Sequence, residues 1–94
     1  MPLKKITAVI SGRVQGIGFR YYILNKAEML GISGWVENTS GGDVKTVAEG
    51  EEDRINDFLL YLRKGPSGAR VENLDYKVEN TDGGEFSGFD IRGW

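Results

Sequence analysis

Three kinds of residue in the first forty positions could do chemistry together: a run of glycines, one arginine and one asparagine. Gly12, Gly16 and Gly18 lie between an apolar alternating stretch and a segment with helical periodicity. Glycine lets a chain curl so that consecutive N–H groups point the same way, and a helix start adds its own free N–H groups and partial positive charge. Such a loop binds phosphate, sulfate or carboxylate. The spacing is neither G-x-G-x-x-G nor G-x-x-x-x-G-K-[ST], so it signals neither a dinucleotide nor a nucleoside triphosphate. A glycine-rich strand-to-helix turn with no ligand would look the same from the glycines alone.

Arg20 separates the two readings. It stands at the start of the first helix, where a cation opposes the macrodipole at a cost of about 0.3–1 kcal/mol. The second helix obeys the dipole rule at both ends, with Glu51, Glu52 and Asp53 at its start and Arg63 and Lys64 at its finish. A rule kept in one helix and broken in the other marks a place where function is expected. A dianion between Arg20 and the loop N–H groups accounts for it, because the guanidinium offers a planar fork of donors and keeps its charge. Asn38 is the third candidate. Its amide can accept from a water and donate at once, though residue type alone fits a hairpin-end asparagine at least as well.

Elements that would position these groups follow from periodicity. Residues 4–11 alternate as a strand, with Ile6, Ala8 and Ile10 on one face. Residues 12–19 are the loop, and 20–30 read as a helix on Phe19, Ile23, Ala27 and Leu30, ended by Gly31. Residues 34–39 and 43–49 read as strands around the turn Ser40-Gly41-Gly42-Asp43. Ile55, Phe58, Leu59 and Leu62 define the second helix, which Gly65-Pro66 ends. A strand lies within 69–79, with Leu74, Tyr76 and Val78 alternating, and a short one runs from Phe86 to Arg92. The order is β-α-β-β-α-β plus an extra C-terminal strand. This is the α+β, ferredoxin-like sandwich: an antiparallel sheet, in order 4-1-3-2, with two helices on one face. The fold alone says nothing about activity.

Composition narrows the chemistry. The 94 residues suit a single domain over 1–94, and they include no cysteine and no histidine. That removes disulfides, thiolate nucleophiles, Cys/His zinc sites and histidine bases from consideration. The net charge of −2 conceals an asymmetry. Lys4, Lys5, Arg13, Arg20 and Lys26 precede the first acid, Glu28, and all 14 acidic residues follow. A local positive field on a mildly acidic body suits a small anion and not nucleic acid. An RNA-recognition-type domain would share the element order, but the central strands carry no aromatic residue for bases to stack on. No apolar run approaches membrane-spanning length and no signal peptide is evident, so the expected compartment is the cytoplasm.

Gly12-Arg-Val-Gln-Gly-Ile-Gly-Phe-Arg20 closely resembles the acylphosphatase signature G-x-V-Q-G-V-x-F-R, and Gly34-Trp-Val-Glu-Asn38 resembles that family's second motif, G-W-V-x-N. Gly65-Pro66, Ala69 and Val71 resemble its segment after the second helix, so the likeness covers nearly the whole chain. Ile17 departs from the usual valine, and Glu37 stands where a basic residue is common; on a strand Glu37 should point away from Asn38. The resemblance implies hydrolysis of an acyl phosphate to a carboxylate and inorganic phosphate, by a monomer that needs no metal or cofactor. It implies phosphate held by Arg20 and by the N–H groups of Gln15, Gly16, Ile17, Gly18, Phe19 and Arg20, with Asn38 orienting the water. The alternative is a non-catalytic module that binds phosphate or a phosphorylated protein. Tyr21 and Tyr22 fit either flanking an acyl group or an amphipathic edge. Trp35 and Trp94 are expected to pack.

Overall fold

The structure, a computed structural model, describes residues 2–93. Trp94 lies outside that range. Seven elements follow in the order β1 (Leu3–Arg13), α1 (Phe19–Leu30), β2 (Ser33–Asn38), β3 (Val44–Glu51), α2 (Glu52–Lys64), β4 (Arg70–Asn80) and β5 (Phe89–Arg92). The sheet order is β4-β1-β3-β2-β5. Pairing is antiparallel between β1 and β3, β1 and β4, and β2 and β3. The four-strand antiparallel order expected from sequence therefore holds. The sheet as a whole is mixed, because β5 joins the outer side of β2 in parallel. That parallel pairing requires the chain to cross from one sheet edge to the other after β4. Phe86, expected in the last strand, belongs to this crossover, where its N–H and that of Glu85 donate to Glu49 Oε1 at 3.2 and 2.9 Å.

The core lies between the sheet and the two helices. Ile6, Ala8 and Ile10 of β1, Val36 of β2 and Val44 and Ala48 of β3 are fully buried, against Phe19, Ile23 and Ala27 of α1 and Ile55, Phe58 and Leu62 of α2. Each large side chain buried in this way contributes about 1.5–3 kcal/mol. The edge strand β4 departs from the simple pattern. Leu74, Tyr76 and Val78 pair with Ile10, Ala8 and Ile6, yet Tyr76 and Val78 stay exposed because the helices cover this edge strand only in part.

Two glycines carry the sheet rather than the loop. Gly12, grouped with the loop on sequence, continues β1 at a bulge next to Ser11; its φ is +125°, and a Cβ there would meet Arg70 O at 2.1 Å. Gly34 opens the second motif between β3 and β5. A Cβ on Gly34 would fall 2.1 Å from Val47 O and 2.6 Å from Ala48 Cα, backbone atoms that cannot move without breaking the ladder. Gly34→Ala is expected to destabilise the fold by more than about 2 kcal/mol. Urea denaturation reads this as a lower midpoint at constant m-value; an unchanged midpoint would show that β3 yields at this point.

Candidate active site

β1 delivers the chain to the loop, and Val14, 1% exposed, anchors it to the core. The loop then turns through Gly16 and Gly18, both with φ +78°, a conformation that favours glycine. Gly18 caps α1 in the left-handed region with no side chain satisfying the helix start. The first helical bond runs from Tyr22 N to Gly18 O at 3.0 Å. Among the described residues, the N–H groups from Gln15 to Tyr21 donate to no backbone carbonyl. They form a continuous row of free donors at the positive end of a twelve-residue helix whose first turn has no acid. Phe19 is 2% exposed, so its ring serves the core while its N–H starts the helix. Ile17 packs partly against the same core.

Arg20 projects from this helix start. Its Nη1 donates to Gly93 O over a long 3.4 Å, and no carboxylate among the described residues lies within ion-pair distance of it. A hydrogen bond of that length is weak, so the guanidinium keeps most of its donor capacity. The position is informative. β5 runs parallel to β2 with Arg92 opposite Glu37, so Gly93 follows beside Asn38. The contact with Gly93 therefore puts one end of the Arg20 guanidinium near the end of β2, the strand that Asn38 closes.

Asn38 is the last residue of β2, paired with Val44. It shares the helix-side face with the buried Val36. Its Oδ1 is enclosed and has no hydrogen-bond partner. An enclosed acceptor without a donor costs about 1–3 kcal/mol and is uncommon in native structures; Glu49 Oε2, on β3, is another among the described residues. Glu37 points to the other face, as expected, where it faces Arg92 at 3.9 Å. The Arg92 guanidinium in turn lies 4.1 Å from the Trp35 ring centre, which gives Trp35 its packing role.

Gln15 does more than its place in the loop foretells. Its Nε2 donates to Thr39 O at 2.9 Å and to Asp43 O at 2.8 Å. The β2–β3 turn is itself closed by Thr39 N to Asp43 O at 2.8 Å and by Asp43 N to Thr39 Oγ1 at 3.1 Å. The Gln15 side chain thus ties the loop to the residue after Asn38. The available signal was a lone amide among glycine and apolar neighbours, but its two acceptors are 24 and 28 positions away and only the tertiary fold names them. Three segments converge as a result: the loop 15–20, the end of β2 and the end of β5. Tyr21 and Tyr22 divide. Tyr21 is 61% exposed, whereas Tyr22 packs edge-on to Phe19 and donates its hydroxyl to Tyr61 O at 2.9 Å. Burial, and then the neighbouring Tyr61, raise the Tyr22 pKa above the ordinary tyrosine value.

Known proteins share the sequence and the fold of this chain. The acylphosphatase family model matches residues 6–91. The acylphosphatase of Geobacter sulfurreducens is 42% identical over 90 residues, covering 94% of this chain and 98% of that protein. Among solved structures, an acylphosphatase from Coxiella burnetii superposes with a TM-score of 0.87 at 40% identity, covering 97% of this chain and 94% of the other. The Bacillus subtilis acylphosphatase superposes with a TM-score of 0.89 at 28% identity, covering 96% and 99%.

Proposed function

The chain belongs to the acylphosphatase family and hydrolyses acyl phosphates to a carboxylate and inorganic phosphate, and from that premise we propose how its own residues divide the work. The phosphate lies in the row of free N–H groups from Gln15 to Arg20, with the Arg20 guanidinium on its other oxygens. Asn38 holds the water that attacks phosphorus. The observation that carries this reading is the coincidence of unpaired groups at one place: donors without acceptors in the loop, a cation without an anion, and an enclosed amide oxygen without a donor.

The assignment fits the chemistry. A carboxylate leaves readily, so no acid is needed to protonate it. Phosphoryl transfer then rests on positioning and on stabilising charge as it spreads over the equatorial oxygens. The loop and Arg20 supply fixed donors for those oxygens, preorganised by the helix start and the glycine turns. Asn38 fixes the water and is itself fixed through Gln15 and the turn. No step calls for a Lewis acid, so turnover of benzoyl phosphate in excess chelator should match that without it. Among the described residues no helix is long and apolar enough to cross a membrane, and we place the enzyme in the cytoplasm acting on a small acyl phosphate as a monomer.

Inorganic phosphate, the product, should compete with substrate and stabilise the fold by mass action, since only the folded loop binds it. At a hundredfold excess over Kd the gain is about 2.7 kcal/mol, worth roughly 10 °C or more in Tm for a domain of this size. A melting temperature indifferent to tens of millimolar phosphate would overturn the preformed anion site.

A further inference from the structure

A second concavity stands apart from the phosphate loop. It is an open groove of about 570 Å³ between α1 and the turn that joins α2 to β4. That volume lies within the roughly 300–1,000 Å³ typical of small-molecule sites. Tyr22, Lys26, Tyr61, Lys64, Ser67 and Gly68 supply its polar character, and no acidic residue lines it.

The charged side chains that line the groove are both cations, Lys26 and Lys64. The Lys26 ammonium lies 4.5 Å from the Tyr61 ring centre and 5.4 Å from that of Tyr22, so it is held between the two rings. Neither Lys26 nor Lys64 has a carboxylate within 4.0 Å among the described residues. The α2 macrodipole explains Lys64, which ends that helix. It does not explain Lys26, which precedes the last turn of α1. Ser67 and Gly68 donate their N–H groups to no backbone carbonyl, and both residues are exposed. At the end of α2, Tyr61 O is covered by the Tyr22 hydroxyl and by Gly65 N, each at 2.9 Å.

We propose that this groove is a second anion site, distinct from the phosphate loop, which takes a compact polyanion of the oligophosphate class. Two ammonium groups with two free N–H groups call for several acceptor oxygens on one ligand. The rings do not call for a stacked base, because the Lys26 ammonium already lies over both of them. The site also accounts for Lys26, one member of the basic N-terminal cluster that the loop does not use.

Calorimetric titration with inorganic tripolyphosphate at low salt tests this. Performed on Arg20→Gln, which removes the cation of the loop, it should show one site with a Kd below about 1 mM that weakens steeply with added salt. The same titration on wild-type protein saturated with inorganic phosphate should show the same site, which keeps the test independent of how Arg20→Gln folds. Ser67→Glu, a change on an exposed turn, should weaken binding at least tenfold, as should Lys26→Met with Lys64→Met. Removing two cations elsewhere, Lys45→Met with Lys77→Met, should change it less than twofold. Hydrolysis of benzoyl phosphate by the groove variants should stay within twofold of wild type. Absence of binding in both backgrounds overturns the proposal, and so does an equal loss in the Lys45/Lys77 control, which would show attraction by general charge. Because the titration does not require turnover, failure of the phosphate-loop assignment would leave its outcome readable.

Discussion

Arg20→Gln is expected to fold and to lose on the order of 10³-fold or more in kcat/KM for an acyl phosphate, together with its affinity for inorganic phosphate. The size follows from the part it plays. A single fixed donor aimed at transition-state charge is worth about 10²–10³-fold, and an arginine on a transferring phosphoryl group about 10³–10⁵-fold. Both binding and rate should fall, since the guanidinium meets the phosphate in ground and transition states alike. Stability should move little. The wild-type cation opposes the α1 dipole by about 0.3–1 kcal/mol, and its only tether among the described residues is the 3.4 Å contact to Gly93 O. The unliganded variant should therefore melt at or slightly above the wild-type temperature, while the stabilisation by phosphate should vanish. Turnover near wild type in a folded Arg20→Gln protein would remove the central assignment.

Asn38→Ala should separate the two roles. The amide meets the water, which matters most as the new bond to phosphorus forms, so its loss should lower kcat at least on the order of 10²-fold. The phosphate inhibition constant should stay near wild type, because Arg20 and the loop N–H groups remain. The fold should tolerate the change: Oδ1 makes no hydrogen bond, and its removal deletes an enclosed unpaired acceptor. Measuring kcat and phosphate inhibition on one purified variant decides the matter. Normal kcat with weakened phosphate binding would make Asn38 a ligand of the anion. Normal values of both would make it a turn residue, the role its position beside a hairpin also suits.

Much of this protein is legible along the chain because its constraints are local. The period of β1 and of α2, the dipole-ordered charges of α2 and the glycines at its end are properties of neighbouring residues. So is the anomaly at Arg20, where a cation stands in a helix start with no acid. These features place the fold class, the loop and the arginine, and the two family motifs add Asn38. What only the tertiary structure decided depends on residues far apart in sequence meeting in space. Gly12 looks like a loop residue until its neighbour Arg70 shows it to be a bulged strand position. Alternation in Leu74, Tyr76 and Val78 promises burial, but burial needs a covering layer, and the edge strand is only partly covered. A short apolar run at the C-terminus carries no sign of direction, so the parallel pairing of β5 with β2 awaited the crossover held by Glu49. The clamp from Gln15 to Thr39 and Asp43, and the contact of Arg20 with Gly93, are long-range hydrogen bonds, whose partners are chosen by packing and by no spacing in the sequence.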